Sequence, residues 1–265
     1  MSNDLSGIPP NVYCEKVISF KHYTDKLFSF CITRPKGFRF RSGEFVMLGL
    51  MVNGKQISRA YSISSPCWDD KLEFFSIKVE NGPLTSHLQN IQCDDLILLH
   101  KKPTGTLVLD ALIPGKRLYL ISTGTGIAPF ASLIRDPETY EQFEEVILTH
   151  TCRNVVELQY GLDVIEAIYQ DEMLKELIGA KLKHYSTVTQ EDYIYKGRIT
   201  DLIMSGKFYR DIGVSPLDSH QDRVMICGSP SMVVEMRNLL TECAFTEGSN
   251  SRPGKFVVER AFSIK

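Results

Sequence analysis

The chain has 265 residues, 43% of them hydrophobic, and a formal net charge of −2, enough length for one large domain or two ordinary ones and no global basic footprint of the kind nucleic acid demands. No apolar run approaches a membrane span, and the N-terminal MSNDLSGIPPN lacks the basic-then-apolar order of a signal peptide, so neither a membrane nor export is expected. The seven cysteines (14, 31, 67, 93, 152, 227 and 243) form no CxxC, no metal-ligand grouping and no iron–sulfur spacing, which reads as reduced thiols in a cytoplasmic protein.

Up to about residue 110 the chain reads as short strands, NVYCEKVISF, LFSFCITR, EFVMLGL, QISRAYSIS, LEFFSIKV and DLILLH, broken by pieces such as PKGF, NGK and PCWDDK. Runs rich in Val, Ile, Phe and Tyr at this spacing predict an antiparallel sandwich or small barrel. Early in this half, RPKGFRFR carries Arg34, Lys36, Arg39 and Arg41, and Lys101 and Lys102 add a pair further on. Such a group is either a steering patch for an acidic protein or a solvated basic loop. In RAYSISSP, Arg59 and Tyr61 are two positions apart and project to one face of a strand. Arg59 offers a cationic fork for phosphate, Tyr61 a ring for stacking and Ser62 a hydroxyl, a set that suits a flat phosphorylated cofactor. A surface arginine beside a core tyrosine is the plainer alternative. In VENGPLTSHL, Gly82 and Pro83 make a turn, and Leu84 and Thr85 begin a short helix whose amides can face an anion. Taken alone, a Gly-Pro turn without a ligand is the commoner case.

From IPGKRLYLISTGTG onward the rhythm changes, with Pro114 and Gly115 as punctuation. Apolar strands near 117–122, 145–150, 181–187, 223–228 and 255–260 alternate with helical stretches IAPFASLIRD, VVELQYGLDVIEAIY and SMVVEMRNLLTEC, the mark of parallel βαβ units. STGTGIAPF follows the first of these strands. Gly124 and Gly126 let the backbone turn tightly and a phosphate approach its amides, whereas Pro129 stands where GxGxxG has its third glycine. A bare glycine turn is the alternative. CGSP closes the fourth strand, where the carboxyl end of a parallel strand faces the ligand crevice. Cys227 and Gly228 leave room there for a flat ring, or are simply a buried thiol before a helix.

Together, RAYSIS, FFSIKVENGPLTSHL, KPTGTL, STGTGIAPFASLIRD, GRIT, MICGSPSM and the terminal VVERAF resemble the ferredoxin–NADP⁺ reductase superfamily, in particular its bacterial ferredoxin/flavodoxin–NADP⁺ reductases, over nearly the whole chain. The resemblance implies a two-domain fold: an N-terminal antiparallel Greek-key β-barrel for FAD, residues 1–110, then a five-stranded parallel α/β domain for NADP(H), residues 111–265, with a C-terminal tail returning to the FAD. It implies that Arg59 holds the FAD pyrophosphate, Tyr61 stacks on the isoalloxazine and Ser62 bonds near flavin N5. Leu84 and Thr85 bring amides and a hydroxyl to the FAD phosphates, and Ala60, Val79, Gly82, Pro83 and Thr123 complete that set. Gly124, Thr125, Gly126, Ile127 and Pro129 cradle the NADP(H) diphosphate, with Cys227 and Gly228 beside the nicotinamide. Ser62, Cys227 and Glu259 form the catalytic set, Ala261 lies against the flavin face and Phe262 stacks on the adenine. Arg153 and Arg198 meet the 2′-phosphate, with Lys196 as a substitute. Relatives carry arginine where this chain has Gln190, so a narrower NADP preference than usual is expected. The implied partners are ferredoxin or flavodoxin, with a same-fold NAD(P)H reductase for an oxygenase or free flavins, or an FAD-binding redox sensor without turnover, as alternatives.

Overall fold

The structure is a computed structural model and describes residues 9–260. Ala261 and Phe262 lie outside the described residues. In the first half, β1 (Val12–His22), β2 (Leu27–Thr33), β3 (Phe45–Val52), β4 (Lys55–Ser62), β5 (Lys71–Ile77) and β6 (Leu96–His100) form an antiparallel sheet ordered β4-β3-β6-β1-β2-β5, with the short helix α1 (Thr85–Leu88) between β5 and β6. Phe28, Phe30 and Ile32 of β2, Val46 and Leu48 of β3, Leu72 and Phe74 of β5, and Ile97 and Leu99 of β6 are all buried in one core. Each set repeats every second residue, as the pleat requires, and each such side chain contributes about 1.5–3 kcal/mol when withdrawn from water. The sheet curls until its edges meet. Just past β4 the Ser64 amide donates to the Glu73 carbonyl of β5 at 2.8 Å, and Ser76 Oγ donates to Tyr61 Oη at 3.3 Å. The order around this barrel, 1-2-5-4-3-6, is a Greek key.

The second half contains β7 (Arg117–Thr123), α2 (Ala128–Leu133), α3 (Pro137–Gln142), β8 (Glu145–Cys152), α4 (Gln159–Gln170), α5 (Glu172–Ile178), β9 (Leu182–Val188), α6 (Ile199–Met204), α7 (Lys207–Ile212), β10 (Asp222–Gly228), α8 (Pro230–Glu242) and β11 (Phe256–Arg260). Its strands are parallel in the order β11-β10-β7-β8-β9. Every residue of β10 is buried, as expected for a strand covered on both faces. The chain steps outward from β7 through β8 to β9, then returns to the other side of β7 for β10 and β11. The switch point, where open α/β sheets take their ligands, therefore lies between the carboxyl ends of β7 and β10.

The halves share an interface. The core on the α2 and α4 side of the parallel sheet takes in Leu27 and Phe75 from the barrel. Tyr160 of α4 stacks on Phe75 at 4.0 Å, and Tyr23 meets both rings edge-on. Lys21 pairs with Asp163 at 2.6 Å, Arg135 pairs with Glu73 at 2.8 Å, and Ser132 Oγ donates to the Ser65 carbonyl at 2.7 Å.

Candidate active site

Two turns meet at the switch point. After β7 the chain forms a 3₁₀ turn, Gly124–Ile127, that runs directly into α2, and the amides opening a helix have no acceptor within it. Pro129 sits in the first turn of α2, where its missing N–H costs nothing. Gly124 has φ +55° with nothing within 4 Å of where a Cβ would stand, so this glycine is needed for its conformation and faces open space. Gly126 and Gly228 are needed for a different reason. A Cβ on Gly126 would strike the Cys227 carbonyl, and one on Gly228 would strike Thr123 Oγ1 and its amide. The turns are packed backbone to backbone, and the Thr123 hydroxyl fastens them by accepting from the Ser229 amide at 2.9 Å. The Thr123 side chain thus has a bracing task inside the α/β half, beside the role toward FAD that the resemblance implies.

Ser62, Cys227 and Glu259 lie far apart in sequence, but one hydrogen-bonded frame links them. Ser62 pairs with Phe45 across β4 and β3, and Phe45 exchanges bonds of 2.7 and 2.9 Å with Thr104. Two residues on, Thr106 donates from its amide and, at 3.3 Å, from its hydroxyl to Glu259 Oε1. Glu259 is in turn the register partner of Cys227 across β11 and β10. Burial pushes the Glu259 carboxyl above the ordinary glutamate range; the Thr106 bonds oppose this and Glu44 reinforces it. Burial, assisted by Glu259, also pushes the Cys227 thiol far up, so Cys227 is a neutral side chain and no thiolate nucleophile.

The expected phosphate ligands differ in how free they are. Arg59 is exposed, donates only to the carbonyl of its neighbour Ser58, and makes no ion pair among the described residues. Tyr61 is half-buried against the barrel core. Leu84 caps α1, and among the described residues the amides of Leu84 and Thr85 have no acceptor, leaving two donors at the mouth of that turn. The Thr85 hydroxyl is occupied, bonding to both the amide and the carbonyl of Val79, and Gly82 allows that closure because a Cβ there would collide with it. At the ends of β8 and β9 the Gln190 amide donates to the Arg153 carbonyl at 2.9 Å, so the departing residue lies beside Arg153. Arg153 is exposed without an ion pair among the described residues, Arg198 is forked onto Glu235 at 2.6 and 2.7 Å, and Lys196 pairs with Asp192. The basic run is also partly committed. Arg34 donates to the carbonyls of Phe38, Cys67 and Asp69, and Arg41 pairs with Glu44 and Asp110. Lys36, Lys101 and Lys102 remain as exposed cations, and Arg39, also exposed, donates to the Lys36 and Phe38 carbonyls.

Sequence reasoning missed several contributors. Thr106 and Gly105 lie in KPTGTL, which carried the resemblance without a role; Gly105 has φ +148°, and a Cβ on it would press on Glu259. Asn250 Nδ2 donates to the Gly105 carbonyl at 2.8 Å and steadies the same segment. His150 reaches the Gly124 carbonyl from beneath. The one signal available was the Thr-Gly-Thr break at 104–106, shortly after the strand Leu96–His100.

Comparison with known proteins agrees with this architecture. The oxidoreductase FAD-binding domain family matches residues 16–108, and the oxidoreductase NAD-binding domain family matches residues 120–238. The chain is 55% identical over 249 residues to the flavodoxin/ferredoxin–NADP reductase of Rhodobacter capsulatus, covering 94% of this chain and 92% of that one. It is 50% identical over 256 residues to the ferredoxin–NADP reductase of Azotobacter vinelandii, covering 96% and 99%. A ferredoxin NADP⁺ reductase from Neisseria gonorrhoeae, solved with bound FAD and NADP, superimposes with a TM-score of 0.86 at 30% identity, covering 96% of this chain and all of that one.

Proposed function

The chain belongs to the ferredoxin/flavodoxin–NADP reductase family and is an FAD- and NADP-dependent oxidoreductase, and from that premise we propose that it passes single electrons between its FAD and a ferredoxin or flavodoxin. In this reading residues 1–110 are the FAD-binding unit and residues 111–265 the NADP(H)-binding unit. The observation that carries it is the frame linking Ser62, Thr106, Glu259 and Cys227, because it joins the RAYS strand of the barrel to the carboxyl end of β10.

The residues present suit both cofactors. An exposed arginine without an acidic partner among the described residues and two unaccepted amides at the start of α1 form a phosphate-binding set for FAD. The left-handed Gly124, with open space above it, suits a diphosphate resting on a helix start. FAD, when bound, supplies the hydride and single-electron chemistry. Arg59 and the Leu84 and Thr85 amides hold its phosphates, and Ala60, Val79, Gly82 and Pro83 shape that wall. Gly124, Thr125, Gly126, Ile127 and Pro129 hold the NADP(H) diphosphate, with Arg153 and Arg198 at its 2′-phosphate. Cys227, small and uncharged, and Gly228 leave space for the nicotinamide and keep water from it. Ser62 presents a hydroxyl with no hydrogen-bond partner among the described residues. Glu259, its Oε1 held by Thr106, retains a proton on Oε2 more readily than an exposed glutamate does. Lys36, Arg39, Lys101 and Lys102 are the cations offered to an acidic carrier.

Steady-state turnover with NADPH and then NADH, using a ferredoxin and a flavodoxin as acceptors, tests the reading. The expected result is turnover with a carrier protein, weakening as ionic strength rises, and a NADPH preference narrowed by Gln190. Rapid reduction of free flavins without carrier turnover would point instead to a flavin reductase, and equal kcat/KM for NADPH and NADH would remove the coenzyme preference.

A further inference from the structure

His150 lies within β8, is almost wholly buried, and takes no part in the chemistry above. Its Nε2 stands 3.0 Å from the Gly124 carbonyl oxygen, while Nδ1 is buried without a hydrogen-bond partner. A carbonyl oxygen can only accept, so Nε2 carries the proton and the ring is the neutral Nε2–H tautomer. The ring has little freedom to leave. Gly161 of α4 packs against it so closely that a Cβ there would approach Nδ1 to 2.9 Å.

The consequence for the turn follows from the geometry of one peptide unit. In a trans peptide the carbonyl of residue i and the amide N–H of residue i+1 point in opposite directions, and the described residues contain no cis peptide bond. A glycine at φ +55° tolerates more than one orientation of the following peptide plane. Within the 3₁₀ turn the Gly124 carbonyl accepts from the Ile127 amide, and the hydrogen bond from His150 is a second, side-chain hold on that same orientation. We propose that His150 is a positioning residue for the dinucleotide diphosphate: by holding the Gly124 carbonyl inward it turns the Thr125 amide outward, into the crevice between the carboxyl ends of β7 and β10. The inference rests on reading this turn as the NADP(H) diphosphate site, and its effect is preorganisation of a donor before the ligand arrives.

The test uses the FAD-loaded full-length enzyme with an artificial electron acceptor. His150→Leu removes the donor at similar bulk, and His150→Gln returns an amide N–H. His150→Leu should raise KM for NADPH, and the Kd of NADP⁺ in spectral titration, by about tenfold, the size of one hydrogen bond, with FAD content retained and kcat within about twofold. His150→Gln should recover most of that loss. An unchanged KM in His150→Leu overturns the inference, as does an equal loss of kcat with no recovery in His150→Gln. His150→Asn, whose amide is too short to reach the Gly124 carbonyl, decides the matter if His150→Leu does not fold: a raised KM supports the inference and a wild-type KM overturns it. Gly124→Ala separates the inference from the reading beneath it. If that variant raises KM and His150→Leu does not, the diphosphate site stands and the role of His150 falls. If Gly124→Ala leaves KM unchanged, both fall together.

Discussion

Glu259, partly buried, and His150, almost wholly buried, are two ionisable groups at the site, and desolvation moves them in opposite directions. For Glu259 burial disfavours the carboxylate, so its folded pKa lies above the ordinary 4.5. Its stabilising contribution is then present below that ordinary value and is lost as pH rises through the folded value. Glu259→Gln, which does not ionise, should unfold at a higher temperature than wild type at pH 7–8, with the curves converging below about pH 4.5. A temperature gap independent of pH would show that the carboxyl's charge is not what matters. For His150 burial disfavours the imidazolium and brings the folded pKa down from 6.5 to about 4. Its contribution is fully present above 6.5 and is lost as pH falls from 6.5 toward 4, by roughly 3 kcal/mol in all. The ring faces the Gly124 carbonyl and the Cys152 thiol, which burial and Glu157 push up to about 12, so neither changes charge in that window. Thermal unfolding of His150→Gln should therefore show a shallower acid slope between pH 6.5 and 4 than wild type. Neither residue's environment was legible in sequence. VILTHTC reads as a strand with a polar residue in it, and nothing local says that its histidine reaches a carbonyl 26 positions earlier.

At the scale of elements, what sequence displays well is periodicity and what it hides is proximity. The barrel strands were legible because their buried residues alternate, and the parallel strands because both faces are apolar. The helices α3, α5, α6 and α7 were not singled out, because six or seven residues are too short for an amphipathic repeat to register and, unlike the equally short α2, they follow no paired-glycine motif. Their starts depend instead on local chemistry, such as Asp136 accepting from the Glu138 amide and Asp171 accepting from the Leu174 amide. The glycine turns were visible as motifs, but sequence cannot say which glycine serves conformation and which serves contact. The structure separates them: Gly124 turns the chain, whereas Gly126 and Gly228 let two turns touch. Gly228→Ala should accordingly overpack the junction with Thr123 and cost about 1–3 kcal/mol of stability. Denaturant unfolding measures this directly. A cost near zero would mean that the loops yield, and their mutual contact would then not be what requires glycine.

The whole molecule depends on how the barrel and the α/β half are held together, because the frame through Thr106 and Glu259 works only if the halves keep their relation. Pro114 and Gly115 mark the change of rhythm in the sequence, but the residues that join the halves are dispersed and carry no motif. Arg135, just beyond α2, gathers the Ala131 and Ser64 carbonyls and the Glu73 carboxylate, so one guanidinium spans both halves. Trp68, the only tryptophan in the chain, donates from Nε1 to the Arg135 carbonyl at 3.1 Å and is a built-in reporter of this contact. Glu73→Gln preserves shape but leaves the largely buried Arg135 charge without its counterion, which should cost about 2 kcal/mol. The loss falls on the interface rather than on either core, so the variant should open there first. In urea, Trp68 fluorescence should change at a lower denaturant concentration than far-ultraviolet circular dichroism in Glu73→Gln, while the two transitions coincide in wild type. Coincident transitions at the wild-type midpoint in the variant would show that the aromatic contact of Phe75 with Tyr160 and the Lys21–Asp163 pair suffice to hold the halves, and that the Arg135 fork is dispensable.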